Sequence, residues 1–223
     1  MKYLWVTESI RLLLQSIHGG IQLGYGLYHL SRLRGPIVSI FGGKWVNGEH
    51  GHAKQAYELA GRLVEHGFSI ITGGGPGIMS AANCGAQEKK EQLKIKEECT
   101  LGISVVGVDD DFVNPCANLV RTRSFFVRKW LLMRYSSAIV VFPGGIGTVD
   151  ELFDVLNLQK FNTIKLMPVI LVDRSYWQGL IDWYDQSVTQ GIIRPEYKNL
   201  LTITDDLDEV YSLICTHHKN NVF

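Results

Sequence analysis

The chain has no net charge to speak of: 22 lysines and arginines offset 22 aspartates and glutamates among 223 residues. Without a global field, nothing in the composition favours nucleic acid or an anionic membrane as a partner. Cysteine is scarce. Cys84, Cys99, Cys116 and Cys215 are widely spaced and form no C-x-x-C pair, which argues against a zinc site and a disulfide framework and for reduced thiols in a cytoplasmic setting. No run approaches the ~20 apolar residues that a membrane-spanning helix needs. Near the N-terminus, Ile10 to Leu14 is interrupted by Arg11 and flanked by Glu8 and Gln15, and no small-residue cleavage site follows. It reads as an amphipathic helix, not a signal peptide.

The length suits one α/β domain of ordinary core size, and no internal repeat or low-complexity linker divides it. Residues 1–35 read as an N-terminal extension, a helix over Glu8–Ile17 followed by a linker. A single domain is expected over residues 36–223. Short apolar, β-branched runs predict strands at Ile37–Phe41, Phe68–Ile71, Leu101–Val106, Ala138–Phe142 and Pro168–Val172. Asn118–Arg123 and Leu200–Ile203 are weaker strand candidates. Between them lie helical patterns over Ala53–Glu65, stopped by Gly67, then from Ser80 into a charged tract, Ser124–Tyr135, Leu152–Leu158, Ser175–Thr189 and Asp205–Cys215. Strands alternating with helices of 10 to 15 residues imply right-handed crossovers. The expected fold is a doubly wound, Rossmann-like, mainly parallel sheet with helices on both faces.

Glycine is what the chain does have, and it is placed at strand ends. Gly42-Gly43, Gly73–Gly77 and Gly144–Gly147 each follow a predicted strand. One such turn ends many strands. Three on the ligand-binding edge of one sheet favour a phosphate-bearing ligand, because glycine lets backbone amides approach an anion and a following helix adds partial positive charge. The dinucleotide fingerprint fails, since G-x-G-x-x-G begun at Gly73 meets Ile78 where its last glycine should stand. No glycine turn is followed by Lys-Ser or Lys-Thr, so the P-loop fails too.

Two further features stand beside the turns. Arg121, Arg123, Arg128, Lys129 and Arg134 crowd fourteen residues. Arg121 and Arg134 read as solvated, whereas Arg128 lies among Phe125, Phe126, Trp130 and Leu131, a setting suited to bidentate anion binding or stacking. Thr148 and Glu151 form a T-x-x-E pattern that a capping box would explain structurally, and Asp150 would then complement the helix dipole. The same spacing lets Thr148 meet a phosphate oxygen while Glu151 points at a sugar ring. Residue types alone leave both readings open.

Gly73-Gly74-Gly75-Pro76-Gly77-Ile78-Met79, then Phe125-Phe126-Val127-Arg128-Lys129, then P-G-G-x-G-T-x-x-E from Pro143 to Glu151, together resemble the LOG family over about residues 36–215. These are cytokinin-activating phosphoribohydrolases that long carried a lysine decarboxylase label. The resemblance implies hydrolysis of the N-glycosidic bond of a nucleoside 5′-monophosphate, such as AMP or a cytokinin ribotide, to free base and ribose 5-phosphate. It places the catalytic pair on Arg128 and Glu151. It assigns phosphate and ribose binding to Gly42, Gly74, Gly75, Lys129, Gly144, Gly145, Gly147 and Thr148, with Asp110 and Asn114 as candidates for ribose or base contact. It requires no cofactor and no metal, and no lysine stands in a recognisable pyridoxal-phosphate setting.

The first turn departs from the family's small polar pattern, reading Phe41-Gly42-Gly43-Lys44-Trp45, so Lys44 either adds a phosphate contact or is solvated. The rival reading is a non-enzymatic nucleotide or molybdenum-cofactor carrier of the same fold, which needs the turns but not the Arg128–Glu151 pair. The partners expected are the nucleotide and a second subunit, a homodimer formed through Leu152, Phe153, Leu156 and Leu158 unless these simply pack on the sheet.

Overall fold

The computed structural model describes residues 2–44, 51–108 and 110–220, with backbone only for residues 2–7, 10–12 and 14. Trp45 beside the first glycine turn and Asp109 at the head of the acidic loop lie outside the described residues. In chain order the elements are α1 (Lys2–Leu30), β1 (Ile37–Phe41), α2 (Gly51–Glu65), β2 (Ser69–Thr72), α3 (Ile78–Gln92), β3 (Thr100–Val105), β4 (Asn118–Thr122), α4 (Phe125–Arg134), β5 (Ser136–Val141), α5 (Ile146–Lys160), β6 (Val169–Val172), α6 (Arg174–Thr189), β7 (Thr202–Thr204) and α7 (Leu207–Asn220).

The seven strands form one sheet in the order β4-β3-β2-β1-β5-β6-β7, and every neighbouring pair is parallel. The order reverses at β1 and β5, which lie side by side although four strands were laid down outward from β1 first. A crevice opens outside the carboxyl ends of strands at such a point. There the Gly42-Gly43 turn after β1 meets the Pro143–Gly147 turn after β5.

Alternate strand residues feed two cores, as the two-residue period requires. On one face Phe41, Ile139, Val141, Val169 and Leu171 pack with Leu131, Leu152, Val155 and Trp177 from α4, α5 and α6. On the other, Val38, Ile40, Val140 and Ile170 pack with Leu59, Leu63, Ile78, Ala82 and Val210 from α2, α3 and α7. Ser39 breaks the apolar run without penalty. Its hydroxyl donates to the Leu132 carbonyl at 2.5 Å and shares a hydrogen bond with the Ser136 hydroxyl at 2.8 Å, so no buried polar atom there lacks a partner.

Three expectations change. The N-terminal helix and its linker are one continuous helix to Leu30. Leu152 and Leu156 are buried and Phe153 and Leu158 pack against that core, so these side chains serve their own subunit rather than a dimer. Cys84 and Cys116, read as reduced, form a disulfide with Cα atoms 4.8 Å apart. Spacing gave no hint because the partners are 32 residues apart and meet only when the β3 crossover returns the chain past α3.

Candidate active site

The crevice holds a cavity of about 730 Å³. Its floor is made by the three glycine turns, and backbone hydrogen bonds knit them together. Gly43 N–H donates to the Pro143 carbonyl at 2.9 Å, and Ile78 N–H donates to the Gly43 carbonyl at 3.2 Å. Gly42, Gly74, Gly75, Gly144, Gly145, Gly147 and Thr148, all expected at the site, line this cavity. A side chain on Gly144 would overlap the Thr148 hydroxyl and stand 2.8 Å from the Gly43 amide, so the close approach of turns one and three demands glycine there.

The helix start decides the Thr148–Glu151 question. The N-cap of α5 is Gly145, with no side-chain capping bond. Thr148 is therefore the third helical residue and Glu151 the sixth. A capping box needs them at N-cap and N3, so that explanation falls. Asp150 does not simply face the helix dipole either, because it holds Lys129.

Freed from capping, Glu151 turns to α4. Arg128 Nη1 donates to Glu151 Oε1 at 2.5 Å, and Arg128 Nε donates to the Ile103 carbonyl at 3.0 Å. The two side chains are only 16% and 10% exposed. Burial pushes the Glu151 carboxyl above the ordinary carboxylate range, and the Arg128 guanidinium opposes that rise without cancelling it. The fork of Arg128 thus spends one arm on the backbone and one on the carboxylate, fixing both against the second glycine turn.

Lys129 also lines the cavity, but its ammonium sits 2.6 Å from Asp150 and 2.6 Å from Asp154. Burial works against its charge, and the two carboxylates outweigh burial and hold the ammonium more firmly protonated. It fastens α4 to α5. Asn114 is a correction: it is buried at 5% exposure and is absent from the cavity lining. Its amide donates to Asn83 Oδ1 at 2.9 Å and to the Gly74 carbonyl at 3.4 Å, and its oxygen accepts the Cys116 amide at 3.0 Å. Its polar atoms serve the second turn from behind. Asp110 does reach the cavity, where its carboxylate accepts the Gly107 amide at 2.8 Å.

Sequence reasoning assigned no site role to several lining residues, among them His52, Tyr176 and Arg121, the last read as solvated. His52 Nε2 lies 3.0 Å from Asp173 Oδ2. The Tyr176 hydroxyl donates to the Gly144 carbonyl at 2.5 Å. Asp173 itself caps α6 in a left-handed conformation, φ 78°, an unusual state for a residue other than glycine. Phe112, also unassigned, joins Val108, Leu119 and Phe125 on an apolar wall. The only signal available was position, since each lies near or beyond the carboxyl end of a strand or opens a helix. No group of three or more metal-ligating side chains occurs among the described residues.

The chain is similar to known proteins in sequence and in fold. A probable cytokinin riboside 5′-monophosphate phosphoribohydrolase of Oryza sativa subsp. japonica is 25% identical over 158 residues, 70% of this chain and 72% of that protein. The pyrimidine/purine nucleotide 5′-monophosphate nucleosidase of Escherichia coli (strain K12) is 26% identical over 181 residues, 78% of this chain but 39% of that longer protein. Among solved structures, the molybdenum cofactor carrier protein of Chlamydomonas reinhardtii superposes with a TM-score of 0.60 at 20% identity, covering 83% of this chain and 99% of that one, which shows a shared fold. The family described as possible lysine decarboxylase matches residues 79–214, from the start of α3 into α7, and the chain belongs to that family, the LOG family.

Proposed function

We propose that this protein is a nucleoside 5′-monophosphate phosphoribohydrolase, cleaving the N-glycosidic bond of AMP or a cytokinin ribotide to give free base and ribose 5-phosphate. The observation that carries this reading is the buried Arg128–Glu151 pair, 2.5 Å apart beside three glycine turns. A binding module needs the turns. It gains nothing from a carboxylate held in the cavity wall at the cost of its hydration.

In this reading the phosphate lies against the Gly144–Thr148 turn, where the Ile146 and Gly147 amides precede the first bonds of α5, from Thr148 and Val149 to the Gly145 carbonyl, and the helix dipole favours an anion. The base lies toward the apolar wall of Val108, Phe112, Leu119 and Phe125. Breaking the C1′–N bond moves its electron pair to the base and leaves an oxocarbenium-like sugar. The Glu151 carboxylate stabilises that cation and orients the water whose oxygen bonds to C1′. Arg128 fixes the carboxylate. One proton of the water ends on the departing base and water supplies the new hydroxyl.

The test is direct. Purified protein is incubated with AMP, GMP, CMP, UMP and isopentenyl-AMP, and free base is followed by chromatography. Base release from at least one monophosphate, lost in Glu151→Gln, is the expected result. Tight nucleotide binding with no release from any of them would replace this reading with the carrier one.

A further inference from the structure

The chemistry above leaves one group of cavity residues without a task. His52, in the first turn of α2, and Tyr176, in the first turn of α6, line the cavity. Asp173 joins them. Its Oδ2 lies 3.0 Å from His52 Nε2, each side chain being 21% exposed, while its Oδ1 accepts the Ser175 hydroxyl at 2.7 Å and the Tyr176 amide at 3.0 Å. The Tyr176 hydroxyl in turn donates to the Gly144 carbonyl at 2.5 Å. Bonded groups therefore run from the imidazole to the third glycine turn. Burial alone would raise the Asp173 carboxyl, but its bonds to Ser175 and Tyr176 and the nearby His52 prevail and hold it below the ordinary carboxylate range. Capping α6 needs only extended backbone at this residue. Its left-handed φ of 78° is a state that the surrounding structure must maintain, of a kind that gathers at ligand clamps.

Charge gives the second argument. A phosphate monoester approaches two negative charges at neutral pH, and the start of α5 offers it amides and about half a positive charge. The wall of α4 and α5 adds no surplus. Arg128 holds Glu151, and Lys129 lies between Asp150 and Asp154, so two cations there face three carboxylates. Arg121 belongs to β4, four strands from β5 in the sheet, about 19 Å at ~4.8 Å a strand. The strands beside β5 are β1 and β6. The turn after β1 carries Lys44 and leads to His52, and β6 ends at Asp173. Positive charge for an anion on the β5 turn comes from this side.

We propose that His52, oriented by Asp173, binds the 5′-phosphate of the substrate beside the Gly144–Thr148 turn and makes the site selective for phosphorylated nucleosides over nucleosides. This rests on the nucleotide reading given above and assigns it a residue that the glycine turns do not include. The Asp173 carboxylate fixes Nε2 of the ring as N–H. In the charged imidazole Nδ1 is a donor as well, and Asp173 stabilises that charge as a second anion arrives, the part an aspartate plays behind a histidine in hydrolytic triads. His52 touches the ligand; Asp173 is a positioning residue.

The experiment separates the phosphate from the rest of the ligand. In a Glu151→Gln background, where bound AMP is not turned over, calorimetry measures AMP, ribose 5-phosphate and adenosine, the last followed into the millimolar range. Adding His52→Gln should weaken AMP and ribose 5-phosphate at least tenfold and leave adenosine within twofold, with circular dichroism and melting temperature retained. Asp173→Asn keeps a capping side chain that tolerates left-handed backbone and should weaken the same two ligands several-fold. With Glu151 restored, His52→Gln should raise KM for AMP by the same factor at nearly constant kcat. Equal losses for AMP and adenosine overturn the proposal, because His52 would then only shape the cavity. AMP affinity that ignores the substitution overturns it too, as does a loss confined to kcat. The binding arm needs no turnover, so a phosphate-selective loss in a protein that releases no base would uphold His52 and remove only the phosphoribohydrolase reading.

Discussion

Arg128 and Glu151, 23 residues apart on two different helices, meet at 2.5 Å in a wall of the cavity. Neither is available to the rest of its own helix. Glu151→Gln keeps the shape and a hydrogen-bond acceptor while removing the charge, so base release should fall by about 10²–10³-fold with the melting temperature retained. Arg128→Lys should lose a similar factor, because an ammonium cannot serve the Ile103 carbonyl and the carboxylate together. Steady-state rates with circular dichroism separate this from misfolding.

The raised Glu151 carboxyl sets a pH dependence. The reaction needs the carboxylate, so activity should rise with pH, and its acid limb should lie above the ordinary value of 4.5. Stability runs the other way. The native state binds this proton more tightly than the unfolded chain, so the group's stabilising contribution is full below about 4.5 and is lost as pH rises through the elevated folded value. Denaturant titrations across pH on wild type and Glu151→Gln should differ by that slope, and parallel curves would contradict it.

Gly73 stands against the reactive arginine. A Cβ there would overlap Arg128 Nη2 and come within 2.8 Å of Met79 Sδ. Gly73→Ala should therefore lower kcat at least tenfold by displacing Arg128, with Glu151 untouched. Unchanged kcat in the alanine variant would show that the guanidinium need not occupy this place.

Tyr176 fastens α6 to the third glycine turn through the Gly144 carbonyl. Tyr176→Phe deletes that single bond and leaves the ring. The expected result is a several-fold higher KM for a nucleoside monophosphate, nearly constant kcat, and a stability loss of about 1 kcal/mol. A fall in kcat at constant KM would instead assign the hydroxyl to chemistry.

The Cys84–Cys116 disulfide closes a loop with a sequence separation of 32. On chain-entropy grounds its loss should cost about 3–4 kcal/mol. Melting with and without a thiol reductant, beside Cys84→Ser/Cys116→Ser, measures this directly. A wild type whose melting temperature ignores reductant would show that the bond contributes nothing.

Much of the sheet was legible because its buried strands are short β-branched runs and its turns are glycines. Ile37–Phe41 matches β1 to the residue, and Phe68–Ile71 is one residue early for β2. The cavity's glycines were legible for the same reason. What failed were properties that depend on distant chain. The two-sided apolarity of α1 blurs the helical period, so half the helix read as linker. Glu151 looked like a capping residue until the helix start at Gly145 moved it a full turn inward. Asn114 carries a polar group toward the second turn, but from behind it. His52 opens α2 while Asp173 and Tyr176 open α6, and no local pattern joins the two helix starts.

The bond between the Gly43 amide and the Pro143 carbonyl also fixes when the cavity can exist. It joins segments about a hundred residues apart, so it forms only after β5 has docked beside β1, a late and entropically costly closure. A nascent chain still short of β5 has two of its three glycine turns and neither Glu151 nor the wall around it. Nucleotide therefore cannot template early folding through this pocket, and ligand added during refolding should accelerate only the final, slow phase.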